Sequence, residues 1–256
     1  TAVNSVSVES WVSEGCVANG PSGGGSLLLE DVSQTAALTR VEIGVSRSTN
    51  GPGGAVAMLF RGPSFVGNVS GVTVADAEAS SDGGALWLAL SAAVGGGFTV
   101  DIRDLHVQRG ISKGGDGGCA FFSAQKNYSG CSLTSCKFSL ANVHAGECRA
   151  NASGGAVAFT APGIDRTIAG SMSSVVVEST FSNLAGGLLY ATGLGSFAAV
   201  GVRLKSDSHV SGNGGCAFVD IDGSAILQDW ALEGNCSCNG NGGAIYISKQ
   251  RGNAVQ

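Results

Sequence analysis

Four titratable residues stand close together at Asp101, Arg103, Asp104 and His106. Acid–base chemistry needs paired groups held at a fixed separation, and these alternate with Val100, Ile102, Leu105 and Val107. That alternation places all four on one face of one strand. A solvent-facing strand carries the same mixture of charge, so the expectation is a solvated face and no catalytic residue. Asp220 and Asp222 read as a turn, Asp-Ile-Asp-Gly. No Cys-x-x-Cys pair occurs, and His144, four residues before Cys148, reads as a solvated loop residue. No metal site and no cofactor are therefore expected.

The other reactive residues are eight cysteines, at 16, 119, 131, 136, 148, 216, 236 and 238. Cys136 and Cys148 share one long inter-glycine segment and form the expected disulfide. Cys119 and Cys216 occupy a position that is alanine in four other segments, so they read as small buried fillers. A bond between Cys236 and Cys238 would close a small strained ring, and Cys16 has no obvious mate. Asn-x-Ser glycosylation signals stand at Asn68, Asn127, Asn151 and Asn235, all read as lying between strands. Paired cysteines and these signals point to an extracellular or cell-surface protein.

What positions these groups is a repeat. Gly154-Gly155-Ala156-Val157-Ala158-Phe159 has seven relatives, with glycine pairs beginning at Gly24, Gly53, Gly83, Gly117, Gly186, Gly214 and Gly242. The spacings along the chain are 29, 30, 34, 37, 32, 28 and 28 residues, a period that signals stacked units of one supersecondary type. After each pair comes an apolar run of strand length. Between pairs lie alternating segments such as Val72-Thr73-Val74 and Val202-Arg203-Leu204-Lys205. Units of about 30 residues with short strands and no helical pattern cannot build βαβ layers. They can close into turns of a parallel β-helix, each strand pairing with its counterpart one coil away.

The Gly-Gly-Ala-aliphatic phrase resembles the repeat of the polymorphic outer membrane proteins and, more loosely, the pectin-lyase-like superfamily, with Phe181-Ser182-Asn183 approaching the family's companion Phe-x-x-Asn motif. The resemblance covers nearly the whole chain. It implies an all-β, single-stranded right-handed parallel β-helix of about seven to eight coils; right-handedness is also the general bias of parallel crossovers. Enzymes of that superfamily cleave acidic polysaccharides with charged residues on adjacent coils, and Arg203-Leu204-Lys205 resembles the Arg-x-Lys of the polygalacturonases. Here Val176 and Gln228 are expected beside Arg203, and the Asp-Asp and Gly-His-Gly companions are missing.

The repeat is continuous, so residues 1–256 read as a single domain, a segment of a larger protein or assembly whose ends neighbouring polypeptide would complete. Only 13% of residues are charged and the net charge is −5, which argues against nucleic acid. The uncharged runs 83–100 and 179–202 keep the glycine register, so no membrane span is expected.

Counting from the second glycine, positions two and four are aliphatic or aromatic and should face the core. Position three then points outward, yet it reads Leu28, Ala57, Trp87, Phe121, Ala158, Tyr190, Phe218 and Tyr246. An apolar outward column must be covered, either by long loops at 110–116 and 126–153 or by a partner. The expected function is a non-catalytic structural or adhesive module of a surface coat, adhesin or filament. Its partner would be another protein or a second copy, meeting the column or the ends of the rod, with carbohydrate a further possible ligand. Trp87, Phe121, Tyr190, Phe218 and Tyr246 are its expected contacts. The alternative is a polysaccharide-active enzyme or a carbohydrate-binding module.

Overall fold

The computed structural model describes residues 3–61, 64–90, 97–124, 135–161 and 167–249. Within them the chain is all-β, without helix, and winds as a parallel β-solenoid of about seven turns. Each turn has three faces. The first carries the strand after the glycine pair, as in Val56–Phe60, Leu86–Leu90, Ala120–Ala124 and Val157–Thr160. The second and third are the two arms of one long strand, as in Phe65–Ala79, Phe98–Ser112 and Cys136–Ala150. Every strand pairs in parallel with its equivalent in the next turn. Residues 136–150 are thus strand and not part of a long loop.

Two of the corners that join these faces use the left-handed backbone region. At the first, the leading glycine of every pair has φ between 58° and 69°, where an ordinary side chain is penalised. The second glycine solves a different problem. A Cβ on Gly54, Gly118 or Gly155 would stand 2.1 Å from the carbonyl oxygen of the equivalent glycine one turn along, a separation no carbon tolerates. One glycine turns the chain and the other lets the turns stack.

The second corner leaves a looser mark in the sequence, a preference for Gly, Asn and Asp and not a fixed pair. Ser10, Arg40, Gly71, Asp104, Asn142, Ser174, Gly201 and Asp229 all have positive φ, between 52° and 65°, and successive members lie at the same point of the strand register. Each bends a continuous strand from the second face onto the third. Asp104 is therefore a corner, with Asp101 and Arg103 leaving the second face and His106 the third. They do not share one face. Arg203 has Val176 on one side as expected, but Ala231 on the other in place of Gln228.

Inside, the three faces enclose a column of side chains. Phe60, Phe65 and Phe98 stack at successive centroid distances of 4.2 and 5.7 Å, Phe138 packs against Phe98 at 4.9 Å with its plane tilted by 50°, and Phe122 stacks on Phe159 at 4.8 Å. All are at most 3% exposed. Each contributes about 2–3 kcal/mol by leaving water, which makes this row the main apolar support of the middle turns.

Candidate functional site

The first face is the one whose outward chemistry is out of keeping with solvent. Position-three residues are paired in unbroken register from Leu28 to Tyr246. Positions two and four are buried through the central turns, as in Val56, Met58, Leu86 and Leu88, so position three does face out. Its exposure varies along the column. Ala57 and Ala158 are wholly covered and Phe121 is only 6% exposed. Phe121 is therefore not a partner-facing residue. Trp87, Tyr190, Phe218 and Tyr246 remain half-buried.

The last three form a slab. Ring centroids of Tyr190 and Phe218, and of Phe218 and Tyr246, are 5.2 Å apart with planes 25° and 18° from parallel. The rings cover one another's faces and turn their edges outward. Beside them, two residues along each strand, run Thr192, Asp220 and Ser248. The Tyr190 side chain hydrogen-bonds Thr192, and burial, with the Asp116 and Asp220 carboxylates nearby, raises its pKa; the Ser248 hydroxyl donates to Asp220.

Charge is concentrated on the third face, where it is paired between turns. Arg109 meets Asp76 at 2.5 Å, Lys113 meets Glu78 at 2.5 Å, Lys205 meets Glu178 at 2.8 Å and Arg203 meets Glu233 at 3.4 Å. Lys205 holds the Glu178 carboxyl below its ordinary pKa. Such exposed pairs contribute roughly 0–1 kcal/mol each. His144 lies in this strand, facing solvent, and not in a loop. Among the described residues no group of three or more His, Cys, Asp or Glu converges as a metal-ligand set.

The disulfides differ from expectation. Cys148 bonds Cys119, not Cys136, and Cys216 bonds Cys236; both pairs have Cα atoms 5.3 Å apart. Cys136 is also disulfide-bonded, whereas Cys16 and Cys238 are free thiols; Cys131 lies outside the described residues. The reason is one recurring slot. The residue after each glycine pair faces, across the same turn, a third-face column running through Cys16, Ser46, Ala77, Gly110, Cys148 and Thr180. It resumes at Ser208 and Cys236. Thr180 and Ser208 are equivalent, since their hydroxyls donate to the carbonyls of Gly187 and Gly215. Cys119 faces Cys148, Cys216 faces Cys236, and Ser26 faces Ser46 with hydroxyl oxygens 2.7 Å apart. The fillers expected at Cys119 and Cys216 are small and buried, but bonded.

Of the glycosylation signals, Asn68 lies within a strand and projects from the second face. Asn151 and Asn235 lie in turns; Asn151 accepts from Asn183 at 2.6 Å, and Asn235 donates to Asp207. Asn127 is outside the described residues. No helix among those residues is long and apolar enough to cross a membrane. The chain matches no known protein family, curated protein or solved structure.

Proposed function

We propose that this solenoid is an extracellular structural or adhesive module, right-handed like the repeats it resembles, that joins a surface coat, adhesin or filament through its first face. The observation that carries the reading is the slab of Tyr190, Phe218 and Tyr246, an outward surface in which both faces of Phe218 and one face of each tyrosine are occupied by a neighbouring ring. Sugar recognition by stacking uses open ring faces; ring edges beside hydroxyls suit a protein surface packed against them. Four third-face cations, Arg109, Lys113, Arg203 and Lys205, are held by carboxylates, which favours a structural over a catalytic use of that face. The disulfides Cys119–Cys148 and Cys216–Cys236 fit an oxidising compartment.

The test is sedimentation of the chain from micromolar to submillimolar concentration, with the double variant Tyr190→Ser/Phe218→Ser alongside, and with acidic polysaccharides assayed separately for chain cleavage. Concentration-dependent association lost in the variant, with the variant's dichroism unchanged, is the expected result. A monomer throughout, or release of new sugar chain ends by the wild type, would overturn the reading, the second in favour of an enzyme.

A further inference from the structure

The third face carries two histidines in direct register, on neighbouring strands of the solenoid. His106 pairs with His144, and their rings stand 5.1 Å apart with planes 18° from parallel. Parallel strands fix this closeness, since residues in register stay about 4.8 Å apart. Both side chains are exposed, flanked along the column by Thr73 below and Val176 above. Glu178, on the next turn, places Oε1 3.3 Å from His144 Nε2, and Lys205 Nζ holds the same oxygen at 2.8 Å. Asp104 lies at the corner two residues before His106, where its carboxylate accepts from the Asn142 amide at 3.2 Å.

We propose that His106 and His144 form a two-imidazole site for a divalent transition-metal ion, with Glu178 as the positioning residue for His144. Metal–imidazole bonds of about 2.0–2.1 Å need the two donor nitrogens within about 4.2 Å of each other. The stacked rings, 5.1 Å apart by their centroids, reach this arrangement by rotating about their Cβ–Cγ bonds so that one nitrogen lone pair of each turns toward a shared ion, which two exposed side chains on neighbouring strands can do without moving the backbone. A carboxylate on the far nitrogen of a ligating histidine fixes its ring and raises its basicity. Glu178 stands where it can do this for Nε2, leaving Nδ1 for the metal. Neutral nitrogen donors without thiolate select Cu²⁺, Ni²⁺ or Zn²⁺ over Ca²⁺ or Mg²⁺. Because the second imidazole binds within one molecule, it should tighten binding by about 10²-fold over a single histidine. His209 supplies the internal control: it stands apart, with Nδ1 2.9 Å from the Ser237 hydroxyl.

The whole chain is titrated with Cu²⁺ and Zn²⁺ by calorimetry in a non-chelating buffer, and the copper complex is examined by electron paramagnetic resonance. One equivalent should bind, with two nitrogen donors in the copper spectrum. His106→Ala or His144→Ala should each weaken binding by about 10²-fold and leave one nitrogen. Glu178→Gln should weaken it by about tenfold, and His209→Ala should change nothing. Dichroism of each variant checks folding. Equal affinity in wild type, His106→Ala and His144→Ala, a loss on His209→Ala of the same size, or a copper spectrum with one nitrogen in the wild type would each overturn the proposal.

Discussion

Replacing Ser26 and Ser46 by cysteine should create a third staple in the slot that already holds Cys119 with Cys148 and Cys216 with Cys236. The two hydroxyls touch at 2.7 Å, and the bonded pairs in equivalent positions have Cα atoms 5.3 Å apart, within the range a disulfide spans. The new loop would run from 26 to 46, a separation of 20, the same as for Cys216 and Cys236. Closing 20 residues removes about 11 cal/mol/K of chain entropy from the unfolded state, about 3 kcal/mol at 25 °C. The serine hydrogen bond that is lost offsets about 1 kcal/mol of this. The net gain of about 2 kcal/mol corresponds to a Tm rise of about 4–8 °C for a chain of this size. Cys16 should be changed to serine in both proteins compared: its sulfur lies 3.1 Å from the Ser13 hydroxyl, which itself reaches Ser26 at 3.2 Å, so a thiol introduced at position 26 could be captured there. Thiol counting and thermal melting, with and without reductant, give the answer. Positions 26 and 46 remaining as free thiols under oxidation, or bonding without raising Tm, would refute the slot as a repeated feature.

Two further predictions concern the first corner. Asp82 and Asp116 accept the backbone N–H groups of Asp116 and Ser153 at 2.9 and 2.7 Å, and burial raises the pKa of both. A raised carboxyl pKa means the folded state holds the proton more firmly, so stability is greatest in acid and falls as pH rises through the folded values. Asp82→Asn/Asp116→Asn should flatten that fall and raise Tm at pH 7, because Asn213 already makes the same contact to Asn241 N–H at 2.7 Å; a lower Tm for the variant at pH 7 would refute the account. Gly118→Ala should destabilise by about 1–3 kcal/mol through its clash with the Gly155 carbonyl, whereas Gly243→Ala, where an added Cβ meets nothing within 4 Å, should leave denaturant midpoints unchanged. Equal effects of the two would show that stacking is not what the second glycine is for.

The glycine pair was legible because each member answers a demand no other residue meets, φ for the first and close approach for the second. A strict demand leaves a strict pattern. The second corner was not legible because its demand is softer: a single left-handed residue costs roughly 1–2 kcal/mol, and local hydrogen bonds offset it. Arg40 Nε donates to the Ser10 hydroxyl at 3.2 Å, and the Asn142 amide to Asp104 at 3.2 Å. Arginine and serine therefore sit at the corner beside glycine, asparagine and aspartate, and its composition marks it only loosely. Missing that corner merged two arms into one, and the merged arm is what placed Asp101, Arg103, Asp104 and His106 on a single face. It also hid the slot that pairs Cys119 with Cys148, since a residue cannot be matched across a turn whose bend is misplaced.

The first face was legible in its phase but not in its exposure. Which side of a strand points outward follows from alternation alone, and Trp87 and Tyr190 lie where alternation puts them. How much of an outward side chain meets water depends on what packs over it in three dimensions, and the burial of Phe121 beside the half-buried Trp87 is not encoded in a one-dimensional pattern. The orientation of the rings was equally invisible, yet it bears most on function. Parallel pairing sets neighbouring aromatics about one strand spacing apart, a distance that favours stacking along the solenoid and spends the ring faces there. Tyr190, Phe218 and Tyr246 consequently offer a ridge of edges beside Thr192, Asp220 and Ser248. A ridge of this kind has the shape of a protein contact, and the same residues spread farther apart would have had the shape of a sugar platform. On a face where every position-three residue is uncharged, the spacing of the coils thus favours the proposed protein contact over a sugar platform.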